Sequence, residues 1–168
     1  MIRKDGIVMS SIAAGGKFLT FEVNGQCYGI ELKQINAIIE ADCSITPVPE
    51  FPEYGKGIIN LRGDIIPIID LRLRFHMPEK PFDSSTCIIV AYSGDPADKS
   101  YIGFVVDRVY DVTDISGKDI SPAPKIASGK KQAYMTSVAK HKDRIVLILD
   151  TDVLLTDEIK QAVEAAVK

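Results

Sequence analysis

The sequence predicts an all-β fold of two similar lobes followed by one C-terminal helix, and three observations carry that prediction. Apolar residues come in short Ile- and Val-rich runs broken by Gly, Pro, Asn or Asp, as they do in β-strands. The pattern of the first half recurs in the second. Only the last residues carry the apolar spacing of an amphipathic helix.

Phe18 to Val23 alternates apolar and polar residues and runs into Asn24-Gly25. Both positions of that dipeptide tolerate positive φ, which suits a two-residue hairpin turn, with Cys27 to Leu32 as the returning strand. Further strands are predicted over Gly57 to Leu61, Ile65 to Leu71, Thr86 to Tyr92, Tyr101 to Val106, Tyr134 to Val138 and Ile145 to Leu149. Their spacing and turn content favour a barrel or sandwich over βαβ units. Glu31 to Glu40 fits either a short helical turn or a strand. Pro67 has no N–H to donate, so its strand needs a free edge or a bulge there. Arg62-Gly63-Asp64 reads as a tight turn between two strands, with Gly63 supplying a positive φ. It would present Arg62 on the surface beside Ile58 and Ile59, a composition enriched at protein–protein contacts. Spacing alone slightly favours an ordinary solvated arginine. At the end of the chain, Ile159, Ala162, Val163, Ala166 and Val167 share one helix face, with Thr156 as N-cap and Asp157 and Glu158 in the first turn.

The internal echo is the most informative feature. Gly29 is followed by Ile35 and Ile38 at offsets of six and nine, and Gly103 by Val109 and Val112 at the same offsets. Each copy then reaches a Pro-x-Pro, Pro47-Val48-Pro49 or Pro122-Ala123-Pro124, and ends in an apolar strand closing on an aspartate, Asp70 or Asp150. The expected organisation is a tail over 1–16, one domain over 17–155 and a helix over 156–168. Within the domain, lobes of roughly 17–82 and 83–155 could exchange strands. A lobe of about 65 to 70 residues is marginal alone, so the two should pack as one folding unit.

Composition narrows the function. The 168 residues include 20 basic and 23 acidic side chains, a formal net charge of −3, which opposes binding to nucleic-acid backbones or anionic membranes. The only histidines are His76 and His141, the only cysteines Cys27, Cys43 and Cys87, and there is no Trp. They offer no metal-ligand spacing and no CxxC, so the thiols read as reduced and half-buried, and no cofactor, metal site or catalytic residue is expected. Asp64, Asp70, Asp107, Asp143 and Asp150 stand at strand ends or turns, where aspartates more often form turns than do acid/base work. The first sixteen residues, with Asp5 near their head, form neither a signal peptide nor a membrane span.

The segment Gly57-Ile58-Ile59-Asn60-Leu61-Arg62-Gly63-Asp64-Ile65-Ile66-Pro67-Ile68-Ile69-Asp70-Leu71 closely resembles the central signature of the CheW family of chemotaxis coupling proteins. So does Gly103-Phe104-Val105-Val106-Asp107-Arg108-Val109, with Pro122-Ala123-Pro124; the resemblance runs from about Phe18 to Leu155. It implies two SH3-like five-stranded β-barrels packed around a shared core. It also implies a non-catalytic, cytoplasmic adaptor joining the tips of chemoreceptors to the histidine kinase CheA in membrane-associated arrays, with no direct membrane insertion. By resemblance, Arg62 with Asn60, Leu61 and Gly57 matches the receptor-facing patch, and Ile35 and Ile38 match positions lining the groove between lobes. The kinase's CheW-like regulatory domain would use a different face of the first barrel. Asp64 and Arg108 are charged where many relatives are not, which bears on partner specificity. Two alternatives remain: a CheW-like scaffold of another receptor–kinase pathway, and an oligonucleotide-binding β-barrel. The latter is opposed by the acidic balance and the lack of an aromatic stacking platform.

Overall fold

The computed structural model describes residues 15–41, 44–92, 100–122, 135–151 and 157–167. The tail up to residue 14, Cys43, Ala123, Pro124, Tyr134 and the N-cap candidate Thr156 lie outside these. The strands are β1 (Gly15–Val23), β2 (Gln26–Glu31), β3 (Ile35–Glu40), β4 (Gly55–Leu61), β5 (Asp64–Asp70), β6 (Cys87–Tyr92), β7 (Tyr101–Val106), β8 (Arg108–Ser116), β9 (Ile120–Pro122), β10 (Met135–His141) and β11 (Arg144–Leu149). A short helix α1 (Leu71–Arg74) follows β5, and the C-terminal helix α2 (Asp157–Val167) is the one its apolar spacing predicted.

The strands form two sheets, a six-stranded one ordered β8-β1-β2-β11-β10-β9 and a five-stranded one ordered β3-β6-β7-β5-β4. The six-stranded sheet draws strands from both ends of the chain, and the five-stranded one is built from its middle. The joints are two parallel pairings, β2 with β11 and β5 with β7; all other pairings of named strands are antiparallel. The echoed glycines lie at these joints, Gly29 opposite Ile148 and Gly103 opposite Ile68. A Cβ on Gly103 would stand 2.5 Å from Ile68 Cδ1, and one on Gly29 would stand 3.0 Å from Val146 Cγ1. Branched side chains of the closing strands fill the space where a glycine leaves room.

Alternation along the strands sends side chains to three cores. Leu19, Phe21, Tyr28 and Ile30 of one sheet meet Ile69, Ile89, Ile102 and Phe104 of the other in a shared core. Phe18, Cys27, Ala139, Val146 and Ile148 form a second core in the six-stranded sheet. Ile59, Ile66, Ile68, Ile88 and Val90 form a third in the five-stranded sheet. Helix α2 anchors in the shared core through fully buried Ile159, with Val163 packed beside it.

Where sequence and structure differ, the reason is local. Glu31 to Glu40 contains both of the forms left open, a 3-10 turn over Leu32–Gln34 and then β3. Strand β8 escaped prediction because it is an edge strand, exposed at Arg108, Asp111, Val112 and Asp114, so its apolar alternation is broken. The strand predicted to reach Leu71 stops at Asp70, whose carboxylate accepts the Arg72 N–H at 2.9 Å and caps α1. Pro67 has its free edge: the ladder from β5 to β7 begins only at Ile68.

One ion pair ties the sheets together. Asp107 is the single residue between β7 and β8, where the chain passes from one sheet to the other. Its carboxylate takes two hydrogen bonds from Arg72, Nε to Oδ1 at 2.9 Å and an η-nitrogen to Oδ2 at 2.7 Å, and a third from the Asn24 N–H at 2.8 Å. Burial alone would raise the Asp107 pKa, but Arg72 and the Asn24 amide outweigh it and hold the carboxyl below its usual range. Asp107→Asn should destabilise the fold by about 2 kcal/mol, less than for losing one partner of a fully buried pair because both side chains are partly exposed. Because the folded pKa is depressed, the wild-type advantage should be full above the ordinary carboxylate pKa and shrink as pH falls through the folded value. Denaturant unfolding of both proteins between neutral and acidic pH checks both the size and the sign.

Candidate functional site

The hairpin joining β4 to β5 carries most of the residues singled out from the sequence. Its turn, Arg62-Gly63, has φ values of 55° and 90°, so both central residues are left-handed, as a two-residue turn of this hand requires. Gly63 adopts that conformation without penalty. Arg62 adopts it against the steric preference of an L-residue, at a cost of roughly 1 kcal/mol or more. Asn60 braces the turn by accepting the Gly63 N–H on Oδ1 at 3.0 Å. Arg62 is left exposed at the tip, with no ion pair among the described residues.

The apolar neighbour of Arg62 is not the expected one. Ile59 is buried in the core of the five-stranded sheet and Ile58 is half-buried, whereas Ile65 is 41% exposed. Register explains the change: Ile65 stands opposite exposed Asn60 on the outer face, and Ile66 opposite Ile59 on the inner one. Counting outward from a two-residue turn would have found it. Leu61 is half-buried and packs on the sheet's own core.

Gly57 is buried and presents no side chain. It sits at the irregularity between Gly55 and Gly57 with φ of 136°, where a Cβ would come within 2.1 Å of the Thr46 carbonyl oxygen. That approach permits the paired bonds Thr46 N–H to Ile58 O at 2.8 Å and Ile58 N–H to Thr46 O at 2.9 Å. Gly57 thus lets the segment carrying Pro47 and Pro49 close against β4. Ile35 and Ile38 lie on β3, at the opposite end of the sheet's strand order from β4. Ile35 packs against the shared core, and Ile38 is 44% exposed. Two surface elements therefore stand on this sheet, the Arg62 tip with Asn60 and Ile65, and Ile38 on β3.

The strand-end carboxylates are structural where their contacts are described. Asp70 is almost fully buried; burial raises its pKa against the opposing Arg72 amide and Lys56, whose Nζ lies 3.7 Å away. Lys56 in turn pairs with Glu79. Burial likewise raises the Cys27 and Cys87 thiols, both of which are free cysteines. Among the described residues no group of three or more His, Cys, Asp or Glu could hold a metal ion, and no helix is long and apolar enough to cross a membrane. The large aromatics Phe18, Phe21, Phe104 and Tyr28 are buried in the cores, so the sheets offer none of them as a base-stacking platform.

Two sheets that exchange strands around a shared core, with an exposed hairpin tip, define a compact two-sheet β-domain. The chain belongs to the CheW-like domain family, whose model matches residues 17–158. It is 33% identical over 154 residues to the chemotaxis protein CheW of Klebsiella aerogenes, spanning 92% of this chain and 90% of that one. It is 32% identical over 154 residues to the chemotaxis protein CheW of Bacillus subtilis, spanning 91% and 95%. The crystal structure of the scaffolding protein TtCheW from Thermoanaerobacter tengcongensis matches with a TM-score of 0.74 at 32% identity, covering 81% of this chain and 89% of that one.

Two substitutions test the geometry. Gly57→Ala should lower stability by at least about 2 kcal/mol, since it meets both a positive φ and a backbone oxygen. Arg62→Gly should raise stability by several tenths of a kcal/mol by relieving the left-handed arginine. Thermal and denaturant unfolding check both, and opposite signs are the expected result.

Proposed function

We propose that this chain is a chemotaxis scaffold of the cytoplasm that joins the signalling tips of chemoreceptors to the histidine kinase CheA. Membership of the CheW-like family and the names of its relatives, chemotaxis proteins and a scaffolding protein, support the class. The observation that carries the reading is Arg62, exposed on a braced turn whose backbone an arginine does not favour. Strain of this kind persists where function selects the side chain.

In this reading the receptor tip contacts Arg62, Asn60 and Leu61, with Ile38 adding apolar surface, while Gly57 and Ile35 shape the patch from within. The guanidinium fork meets carboxylate or carbonyl acceptors at the rim, and the aliphatics exclude water around it. The kinase's regulatory domain uses a different face. Coupling then consists of holding receptor and kinase in one assembly and biasing the kinase's conformation through differential contacts.

Arg62→Glu is the direct test. Co-sedimentation with receptor fragments should weaken by about tenfold or more, the scale for a contact arginine, while binding to the kinase stays within about twofold. Equal loss of both by a folded variant would falsify the two-face arrangement.

A further inference from the structure

The six-stranded sheet carries a hairpin tip of its own, which the reading above leaves unused. We propose that the β10–β11 tip and the cleft behind it form a docking site for an acidic segment of a partner protein that also bears an apolar side chain.

The tip occupies the same place in its sheet as the Arg62 turn does in the other. Lys140 pairs with Ile145 and His141 with Arg144, as Asn60 pairs with Ile65 and Leu61 with Asp64. The turn residues Lys142 and Asp143 have φ values of 49° and 63°, so two successive non-glycine residues are left-handed. Sequence preference at such a turn is for Gly, Asn or Asp, so a lysine there is retained against local sterics.

Charge identifies the occupant. Lys140, Lys142 and Arg144 stand against one carboxylate, Asp143, within five residues of a chain whose net charge is −3. Lys17, Lys33, Lys56, Arg72 and Lys80 all form ion pairs, whereas among the described residues Lys140, Lys142, Arg144 and nearby Arg108 form none. The Arg144 guanidinium is stacked over the Tyr110 ring, 5.2 Å from its centroid, and the Tyr110 hydroxyl donates to one carboxylate oxygen of Glu22. Stacking fixes the plane of the guanidinium, which also meets the Cys27 thiol, and its remaining N–H groups can pair with a carboxylate.

Shape supplies a mostly polar cleft with one apolar edge. It holds about 570 Å³ between this tip and the β1–β2 turn and is bordered by Gln26, Tyr110, Lys142, Asp143, Arg144 and Ile145. Ile145 is 53% exposed at its edge. Gln26 stiffens the wall by donating through Nε2 to the Ile145 carbonyl at 3.3 Å and to the Cys27 carbonyl at 3.1 Å. The Tyr110 face is covered by Arg144, which removes the stacking surface a nucleic acid would use. The three cations of the tip with nearby Arg108 reach only the lower end of the roughly 4 to 8 clustered basic residues typical of an anionic-lipid surface, and Asp143 stands among them. A carboxylate-rich protein segment fits best.

The test is an NMR titration of the isotopically labelled full chain with the acetylated, amidated peptide Glu-Glu-Leu-Glu-Glu. The backbone amides of Gln26, Lys142, Arg144 and Ile145 should shift saturably, and affinity should fall several-fold as salt rises toward about 0.3 M. Lys142→Glu should weaken binding at least about tenfold, a loss of about 1.4 kcal/mol. Among the described residues its side chain makes no ion pair, and Arg144→Lys provides a second variant, which keeps the charge but loses the planar fork stacked on Tyr110 and should weaken binding less than Lys142→Glu. Arg62→Glu should leave the titration unchanged, which separates this site from the receptor patch. The proposal is overturned if the shifts spread evenly to Lys17, Lys33 and Lys80, or if Lys142→Glu and Arg144→Lys bind like wild type. It also fails if phosphatidylglycerol vesicles or a thymidine oligonucleotide engage the same amides more tightly than the peptide.

Discussion

Asp107 stands at the corner where the chain leaves the five-stranded sheet for the six-stranded one, and the seating of one sheet on the other is fixed there. Its N–H donates to the Glu22 carbonyl at 3.0 Å, while its carboxylate holds the Asn24 amide and the Arg72 guanidinium. Arg72 reaches further, donating to the Pro78 carbonyl at 3.1 Å, and its own amide is held by Asp70. One half-buried carboxylate thereby joins the first hairpin, the inter-sheet corner, helix α1 and the segment after it. A charge taken this far out of water is tolerated only when its acceptor positions are filled, and here three donors fill them.

This joint matters because of the way the strands are exchanged. The first two strands sit in the sheet completed by the last strands, and β6 and β7 sit in the sheet begun by β3, β4 and β5. Neither half of the chain can complete a sheet alone, so the marginal stability expected of a lobe of roughly 65 residues never has to be met. The parallel pairings that close each sheet join residues far apart in sequence, Gly29 with Ile148 and Gly103 with Ile68. Loop closure must precede the burial that rewards it, so folding should be slow relative to stability.

Much of this was legible because local chemistry and global fold agree. Asn24-Gly25 marked its turn, the glycine echo marked a repeated β-pattern, and Ile159 and Val163 marked the buried face of the last helix. What could not be read was set by partners distant in sequence. Strand β8 is an edge whose exposed Asp111 and Asp114 conceal its period, and α1 exists because Asp70 caps it at the end of a strand. At the site, Arg62 and Asn60 were found by motif, but Asn60's grip on the turn and the exposure of Ile65 follow from register. Gly57 was grouped with the contact residues, and only the approach of Thr46 reveals what its missing Cβ makes possible.

Among the described residues, three two-residue hairpins differ in one respect that bears on the proposed function. Asn24-Gly25 uses residues that suit a left-handed turn, and its tip is tied down by Asp107. Arg62-Gly63 and Lys142-Asp143 place cations where the backbone resists them, and their tips project from the sheets. A hairpin tip is a stiff platform, because a strand ladder fixes it on both sides and its few backbone groups are satisfied within the turn. An edge strand such as β3 offers more surface, but also the unpaired backbone that invites indiscriminate pairing. In the adaptor role proposed above, concentrating cations on tips and leaving only isolated apolar residues such as Ile38 on the edges would separate selective docking from aggregation. The strain at Arg62 is, in that reading, the local cost of holding a guanidinium where a partner can reach it without opening the sheet beneath.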